Sequence, residues 1–320
     1  MRFIFRADAS REIGSGHVMR SSVLAEEAIS RGYECIFIGE ITNLNWVSER
    51  ILKLGFSQIL TNEQSFVSNT ESDVLILDSY SISVSNAFIA KGNWRLVTTI
   101  CDELTPMYAT DIELRPGLER LGEAQHLPVV LTGPEYVLIR KGIVKSQRSK
   151  DAGGRTKVLA VGGGSDPFEF VPAVLEKIRS LNLDLEVHAF TNGEYTSWPR
   201  VNLVVHPVGS ELDLVANDVD VVLTTASTSS LEFIAREIPT GVVCAVDNQE
   251  DYYEKLGQLG YASQIGIRNP KEGWAFKVEA IRELMESQER RRVLKETIKG
   301  LIDLKGAQRV IDYLISHKPF

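Results

Sequence analysis

The sequence predicts an α/β protein with two doubly wound, mainly parallel sheets. Short apolar runs alternate with stretches whose apolar residues recur at helical spacing. Strands separated by helices indicate parallel sheets that are covered on both faces. A polar, glycine-containing segment at 145–155 divides this alternation into two halves. We therefore expect one sheet in each half, joined by a linker.

The two halves contain similar sets of predicted elements. In the first half the strands are 3–6, 35–39, 74–78 and 96–100, with helices near 18–31, 43–54 and 83–91. In the second half the strands are 157–161, 186–190, 201–205, 219–223 and 240–243, again with helices between them. Two such halves predict a ligand site at the carboxyl ends of the strands, in the cleft between them.

Composition and charge restrict the class of protein. The 320 residues include 43% apolar and 24% charged residues, which is enough for two domains with sizeable cores. A net charge of -8 shows no basic excess, so nucleic-acid binding is not expected. Arg2, Arg6 and Asp8 interrupt the N-terminal apolar run, and no stretch approaches the roughly 20 apolar residues of a spanning helix. We expect a cytoplasmic protein without a membrane span.

The three cysteines, Cys35, Cys101 and Cys244, lie in or at the end of strand-like runs and lack the spacing of metal ligands. Free thiols are often buried. We therefore predict three buried, unpaired thiols.

The most informative stretch is 6–20, where a strand, a glycine turn and a helix start meet at His17. Gly14 and Gly16 permit unusual backbone angles and leave no side chain to block a ligand, while the N–H groups of the first helical turn attract anions. The positive helix end also disfavours imidazolium, so a histidine there can accept a proton. This pattern indicates a general base beside a phosphorylated substrate. The alternative is that His17 only caps the helix.

The segment resembles the start of the PseG family, hydrolases that remove UDP from UDP-2,4-diacetamido-2,4,6-trideoxy-β-L-altrose on the route to pseudaminic acid. The pattern R-x-D-[AS]-S-x-x-I-G-x-G-H-x-x-R is matched at Arg6, Asp8, Ser10, Ile13, Gly14, Gly16, His17 and Arg20. The resemblance continues through 77–80, 101–104, 133–140, 162–167, 226–232 and 248–249, and so covers nearly the whole chain.

This resemblance implies a GT-B architecture, a fold of nucleotide-sugar enzymes. Residues 1–145 would form the catalytic and acceptor domain, and 156–305 the nucleotide-binding domain. Residues 306–320 would include a last helix that crosses back to the first domain; the alternative is a terminal amphipathic helix on its own domain.

Two turns in the second half predict phosphate and nucleotide binding. The first, with Gly163 and Gly164, follows a strand, so its backbone can approach a diphosphate closely. The second, with Ser227, Thr228 and Ser229, precedes a helix expected to start near Thr228. Such turns also occur without a ligand.

Polar residues near the second turn suggest ribose and sugar binding. In GT-B folds an acidic residue placed like Glu232 accepts hydrogen bonds from ribose hydroxyls; the alternative is a favourable charge near a helix N-terminus. Asn248 and Gln249 match the family's Asn-Gln pair and would bind sugar hydroxyls or cap a helix.

Polar residues also follow two strands of the first half. Asp78 and Tyr80 close one strand, and Asp102 and Glu103 close the next. These carboxylates could orient His17 or the acceptor sugar; alternatively, Asp78 caps a following helix. Because Asp102 and Glu103 are adjacent, we expect their side chains to point to different sides, and their spacing alone does not make them an acid/base dyad.

Departures from the family pattern fall where substrate should lie. They include Cys101-Asp102 in place of Asp-Asp, Arg115 in a region where members carry Asn, and the 226–232 segment in place of Gly-Ser-Thr-x-Trp-Glu. If Arg115 faces the cleft, its guanidinium favours an anionic sugar or acceptor; alternatively, it lies in a surface turn. His206-Pro207 and the Ser/Thr-rich turn are also similar to short motifs of bacterial CMP-sialic-acid transferases.

We predict an enzyme that cleaves the anomeric C–O bond of a nucleotide-sugar. The catalytic set is His17, Asp78 and Tyr80; the nucleotide and phosphate set is Gly14, Gly16, Gly163, Gly164, Ser227, Thr228, Ser229 and Glu232; the sugar set is Arg6, Asp8, Asp102, Asn248 and Gln249. Water would attack opposite the diphosphate and invert the anomeric centre, as the family does. No metal or cofactor is required, because helix N-termini can stabilise the departing charge. The alternatives are a glycosyltransferase using a UDP- or CMP-sugar and a nucleotide-sugar-binding protein without catalysis.

Overall fold

A computed structural model describes residues 1–10, 13–102, 105–119, 128–146, 148, 154–163, 166–208 and 212–317. The chain divides into two compact units. The first contains Met1–Lys141 and Asp303–Phe320, and the second contains Gly142–Ile302.

The first unit is a seven-stranded parallel sheet with helices and loops on its faces. Its elements are β1 (Arg2–Ala7), α1 (Gly16–Ser30), β2 (Glu34–Ile38), α2 (Asn45–Lys53), β3 (Gln58–Leu60), β4 (Asp73–Asp78), β5 (Leu96–Ile100), β6 (Ile112–Arg115) and β7 (Val129–Thr132). The strand order is β3-β2-β1-β4-β5-β6-β7. The central strands β1 and β4 pair in parallel with Ala7 opposite Asp78, which brings their carboxyl ends together.

Alternate residues of the central strands enter two separate cores. Phe3 and Phe5 pack on the α1 side, whereas Ile4 and Leu75 pack on the other side. Because successive strand side chains point to opposite faces, a strand buried on both faces must be apolar throughout. This explains the continuous apolar runs of the sequence.

The second unit is also a seven-stranded sheet. Its elements are β8 (Thr156–Val161), α3 (Phe170–Leu181), β9 (Leu185–Phe190), β10 (Val201–His206), α4 (Leu212–Ala216), β11 (Val221–Thr225), α5 (Thr228–Ala235), β12 (Thr240–Cys244), α6 (Glu250–Gln258), β13 (Ser263–Asn269), β14 (Gly273–Phe276), α7 (Val278–Glu286) and α8 (Gln288–Ile298). The order is β10-β9-β8-β11-β12-β13-β14. All pairs are parallel except β13 with β14.

The last helix, α9 (Gly306–Ser316), packs within the first unit. Its buried residues Val310, Ile311 and Leu314 join the core beneath α1. At its start, a Cβ on Gly306 would lie 2.1 Å from the carbonyl oxygen of Val137. Because residue 306 is a glycine, the start of α9 can lie close to the backbone at Val137, in the first unit.

The helix predicted near 83–91 is wrong. The structure has two short 3-10 turns there, Ala87–Ile89 and Lys91–Asn93. Ser79 Oγ accepts from the N–H of Ser81, and Asn86 Oδ1 accepts from the N–H of Phe88. Such local side-chain bonds compete with helical ones.

The predicted state of the cysteines is confirmed, because Cys35, Cys101 and Cys244 are all buried and unpaired. Burial raises the pKa of the Cys35 and Cys101 thiols to about 12. Within the described ranges, no helix combines the length and apolar character needed to cross a membrane.

Candidate active site

His17 lies in the first turn of α1, which begins at Gly16. The turn before it contains Gly14 at a φ of +77°, a conformation that side chains disfavour. Gly16 has no such constraint, and a Cβ there would meet no atom within 4 Å. The His17 side chain is almost fully buried, at 5% exposure.

Asp78, the last residue of β4, holds the His17 ring. The distance from His17 Nδ1 to Asp78 Oδ1 is 2.5 Å. This contact assigns the proton of a neutral imidazole to Nδ1 and leaves Nε2 as the acceptor. Within the described part of the chain, Nε2 has no hydrogen-bond partner. His17 therefore has the geometry of a general base.

Arg20, one helical turn after His17, binds the same carboxylate with a two-nitrogen fork. Its Nε donates to Asp78 Oδ2 at 3.0 Å and its Nη2 to Oδ1 at 2.8 Å. Burial alone would raise the pKa of Asp78, but the charge of Arg20 and the hydrogen bond from His17 outweigh it and hold this pKa below its usual value. Burial likewise opposes the charge on Arg20, yet Asp78 raises the pKa of the guanidinium. Both groups remain charged.

Tyr80 and Asp102 complete the cluster. The Tyr80 hydroxyl donates to Asp102 Oδ2, and the Tyr80 ring meets the His17 ring edge-on, with centroids 4.2 Å apart. Asp102 Oδ2 lies 3.4 Å from Arg20 Nη1, and its other oxygen accepts from Thr105. Burial and the bond to Asp102 raise the pKa of the Tyr80 hydroxyl, so it remains a donor. Glu103 lies outside the described residues.

The structure thus brings His17, Asp78, Tyr80 and Asp102 together. In the described part of the chain the helical turns that follow Asp78 begin after Asn86 and Ala90, so Asp78 does not cap them. Arg20 also belongs to this cluster, and sequence reasoning assigned it no separate role, although its spacing of three from His17 places both on one helix face.

The predicted glycine turn of the second unit follows β8. Gly163 has a φ of +87°, while Gly164 and Ser165 lie outside the described residues. Asp166 accepts from the N–H groups of Phe170 and Val171 at 2.9 Å, so its carboxylate caps α3.

The second predicted turn lies next to the first, because a Cβ on Gly163 would come within 3.9 Å of Ser229 Oγ. Helix α5 begins at Thr228, as expected. Ser227 makes no side-chain cap bond, and its Oγ lies 3.0 Å from Thr225 Oγ1. In the described structure the N–H groups of Thr228 and Ser229 donate to no backbone carbonyl. Backbone donors and hydroxyls of both turns are therefore grouped within this unit.

The residues near this turn that were predicted to bind ribose or sugar differ in exposure and in hydrogen-bond partners. Glu232 lies on α5 and is partly buried. Asn248 is exposed in the Asp247–Gln249 turn, whereas Gln249 Oε1 accepts from the N–H of Ala245 at 3.0 Å. The Gln249 side chain thus closes the end of β12 and keeps only its amide NH2 for other contacts.

Arg6 and Asp8, predicted to bind sugar, have partners within the first unit. Arg6 pairs with Glu63 at 2.6 Å and with Asp8 at 2.7 Å. Asp8 Oδ1 also accepts from the N–H of Glu40. These bonds connect the loops that follow β1, β2 and β3, and Arg6 and Asp8 are therefore held by partners within the first unit.

Two residues considered from sequence also have internal partners. Arg115, at the end of β6, pairs with Glu113 at 3.1 Å. His206 stacks on Phe190 with ring centroids 4.8 Å apart, and its Nε2 lies 3.0 Å from His188 Nδ1. Among the described residues, no group of three or more His, Cys, Asp or Glu side chains is placed to hold a metal ion.

The two α/β units define a GT-B-like fold, which confirms the predicted fold class. The chain is similar to Acinetobacter baumannii MurG (TM-score 0.60, 12% identity, 99% of this chain and 100% of that chain). It is also similar to the glycosyltransferase of kitacinnamycin (TM-score 0.65, 14% identity, 99% of both chains) and to Staphylococcus aureus MnaA, solved with UDP (TM-score 0.58, 14% identity, 98% and 96%). No protein-family model matches the sequence, and the search of curated proteins finds no significant match.

Proposed function

We propose that the protein is a nucleotide-sugar enzyme in which His17 is the general base. The observation that carries this proposal is the buried His17–Asp78 contact of 2.5 Å, which leaves Nε2 as the proton acceptor at a helix N-terminus. Nε2 would take the proton of a water or hydroxyl as its oxygen bonds to the anomeric carbon. The anomeric C–O bond to the diphosphate would break, and its electron pair would leave with the phosphate oxygen.

The second unit would bind the nucleotide. Gly163 gives close backbone access, and Ser227, Thr228 and Ser229 offer hydroxyls and N–H groups at the start of α5. These groups would stabilise the negative charge that develops on the leaving diphosphate. Glu232 would accept from ribose hydroxyls. The likeness to MurG and to MnaA, a protein solved with UDP, supports this assignment.

The reaction we favour is hydrolysis of a UDP-2,4-diacetamido-2,4,6-trideoxyhexose, with inversion at the anomeric carbon, in pseudaminic acid biosynthesis. The support is the R-x-D-[AS]-S-x-x-I-G-x-G-H-x-x-R pattern at 6–20. A glycosyltransferase using a UDP- or CMP-sugar is the second candidate, because the solved structures to which the chain is similar include the glycosyltransferase of kitacinnamycin. Both reactions use the same base and leaving group.

The test compares wild type with His17→Asn on panels of UDP- and CMP-sugars, with and without a hydroxyl acceptor. We expect the variant to lose about 10²–10⁴-fold in turnover, the usual contribution of a positioned general base. UDP affinity should stay nearly constant, because the groups proposed to bind the nucleotide belong to the second unit, apart from the turn with Gly14 and Gly16. His317→Asn, in the same unit as His17, serves as the matched control.

Release of free sugar without an acceptor would identify a hydrolase, and product formation only with an acceptor would identify a transferase. Near-normal turnover of His17→Asn would contradict the proposed role of His17.

A further inference from the structure

The charged and hydroxyl groups around His17 that the structure describes form a compact set. They are Asp78 from β4, Arg20 from α1, and Tyr80 and Asp102 from the loops that follow β4 and β5. The Cys101 thiol lies close by, and its raised pKa of about 12 keeps it neutral. With two carboxylates and one guanidinium, the set has a charge of minus one when His17 is neutral. It becomes neutral when His17 accepts a proton.

Arg20 contacts both carboxylates. It binds Asp78 through Nε and Nη2, and its Nη1 lies 3.4 Å from Asp102 Oδ2. Its Nη2 also lies 3.2 Å from His17 Nδ1. Since Nδ1–H donates to Asp78, this last contact joins two donors and places positive charge against the imidazole. Arg20 by itself would oppose protonation of His17.

Asp102 offsets that charge from the other side. Its carboxylate is partly exposed, at 34% for the side chain, and the Tyr80 hydroxyl fixes one of its oxygens next to Arg20. The Tyr80 ring in turn packs against the His17 ring. The same few contacts therefore fix both the orientation of the base and the charge around it.

We propose that Arg20 and Asp102 act as a positioning pair for the base. Arg20 locks the Asp78 carboxylate in the orientation that meets His17 Nδ1, and Asp102 balances the guanidinium so that His17 can take up a proton within a buried cluster. The catalytic consequence rests on the proposed function, whereas the effect on His17 protonation does not. A purely structural role for the pair predicts loss of stability without a change in His17 titration.

The experiment measures the titration of the His17 ring by NMR in the free protein, together with the pH dependence of kcat/KM. Asp102→Asn removes negative charge, so the titration midpoint should fall by at least about half a pH unit. Arg20→Gln removes positive charge, so the midpoint should rise by a similar amount. The acidic limb of the kcat/KM profile should move in the same directions.

Arg20→Lys separates charge from geometry. Lysine keeps the positive charge but lacks the planar fork, so the midpoint should stay near that of wild type while kcat falls about tenfold or more. The controls are Arg31→Gln and Asp312→Asn, which remove the same charges from an ion pair elsewhere in the first unit and should leave the midpoint unchanged.

Opposite shifts for Asp102→Asn and Arg20→Gln support the proposal. Unchanged midpoints, or shifts in the same direction, overturn it. Asp102 is partly exposed, so Asp102→Asn provides the decisive measurement if Arg20→Gln does not fold. A wild type that is inactive on every nucleotide-sugar would overturn the proposed function, while the NMR titration would still decide whether the pair acts on His17.

Discussion

Neutralising Asp78 tests how much the buried cluster contributes to the free energy of unfolding of the first unit. Asp78 is 1% exposed and accepts from His17 Nδ1 and from two nitrogens of Arg20, at 2.5, 2.8 and 3.0 Å. Asp78→Asn keeps the shape but leaves the guanidinium with Asp102, 3.4 Å away. Removing one partner of a buried pair costs about 3–5 kcal/mol. We expect the free energy of unfolding of the first unit to fall by about that amount.

A double-mutant cycle shows whether the loss comes from the pair itself. Arg20→Gln alone should also be costly, because it leaves the Asp78 carboxylate without its cation. The double variant removes both charges, so it should cost at least about 2 kcal/mol less than the sum of the two single variants. An exposed pair gives the control: the cycle of Arg31→Gln with Asp312→Asn should show a coupling of only about 0–1 kcal/mol.

The assay is native-state amide hydrogen exchange of β1 and β4 in increasing denaturant at about pH 7, which isolates the first unit from the second. A loss of less than about 1 kcal/mol for each single variant, or two losses that simply add, would contradict a strongly coupled buried pair. Either result would mean that solvent reaches the cluster and screens its charges.

Three further predictions concern other parts of the molecule. Burial and the neighbouring imidazole lower the pKa of His206, so the unfolded chain binds this proton more readily, and stability should fall as the pH decreases through about 6.5. Between about pH 7.5 and about pH 5.5, the denaturation midpoint of His206→Phe should fall less than that of wild type. An equal fall in both proteins would show that His206 does not cause the loss of stability. Gly306→Ala should lower the free energy of unfolding by about 1–3 kcal/mol, since its Cβ would lie 2.1 Å from the carbonyl oxygen of Val137. The control Gly92→Ala, whose Cβ would meet no atom within 4 Å, should change this free energy by less than about 0.5 kcal/mol in denaturant unfolding. Equal effects of the two variants would rule out the proposed clash. UDP at about 100 times its Kd should stabilise the fold by about 2.7 kcal/mol, and calorimetry should show weaker binding to Glu232→Ala; tighter binding of CMP than of UDP would favour the transferase.

The sequence predicts the start of the candidate site well. The apolar residues of β1, the turn with Gly14 and the helical spacing after His17 are local signals. They all lie between Arg2 and Ser30 and depend on no distant partner. Local signals likewise predict the start of α5 at Thr228.

The partners of His17 depend on strand order, which local patterns do not reveal. Asp78 reaches His17 because β4 lies beside β1 in the sheet, with Ala7 opposite Asp78. The sequence shows that a carboxylate ends a strand, but not which strand is its neighbour. The role of Arg20 follows only once this order is known.

The strands missed by sequence reasoning are short or lie towards sheet edges. They are β3 (Gln58–Leu60), β6 (Ile112–Arg115), β7 (Val129–Thr132), β13 (Ser263–Asn269) and β14 (Gly273–Phe276). Partly exposed strands mix polar and apolar residues and give a weak periodic signal. The position of Gln249 at the end of β12 could not be predicted either, because the spacing of residues does not reveal a hydrogen bond from Ala245 N–H to Gln249 Oε1.

The return of the chain from the second unit to α9 has a consequence for synthesis on the ribosome. The second unit is a continuous stretch of sequence, so all its strands emerge before α9 does. Until then, the first unit lacks Val310, Ile311 and Leu314, and the apolar surface beneath α1 stays open to water. The unit whose synthesis begins first is therefore completed last, and a chain that terminates early at about residue 302 lacks a core helix of the first unit but no strand of the second.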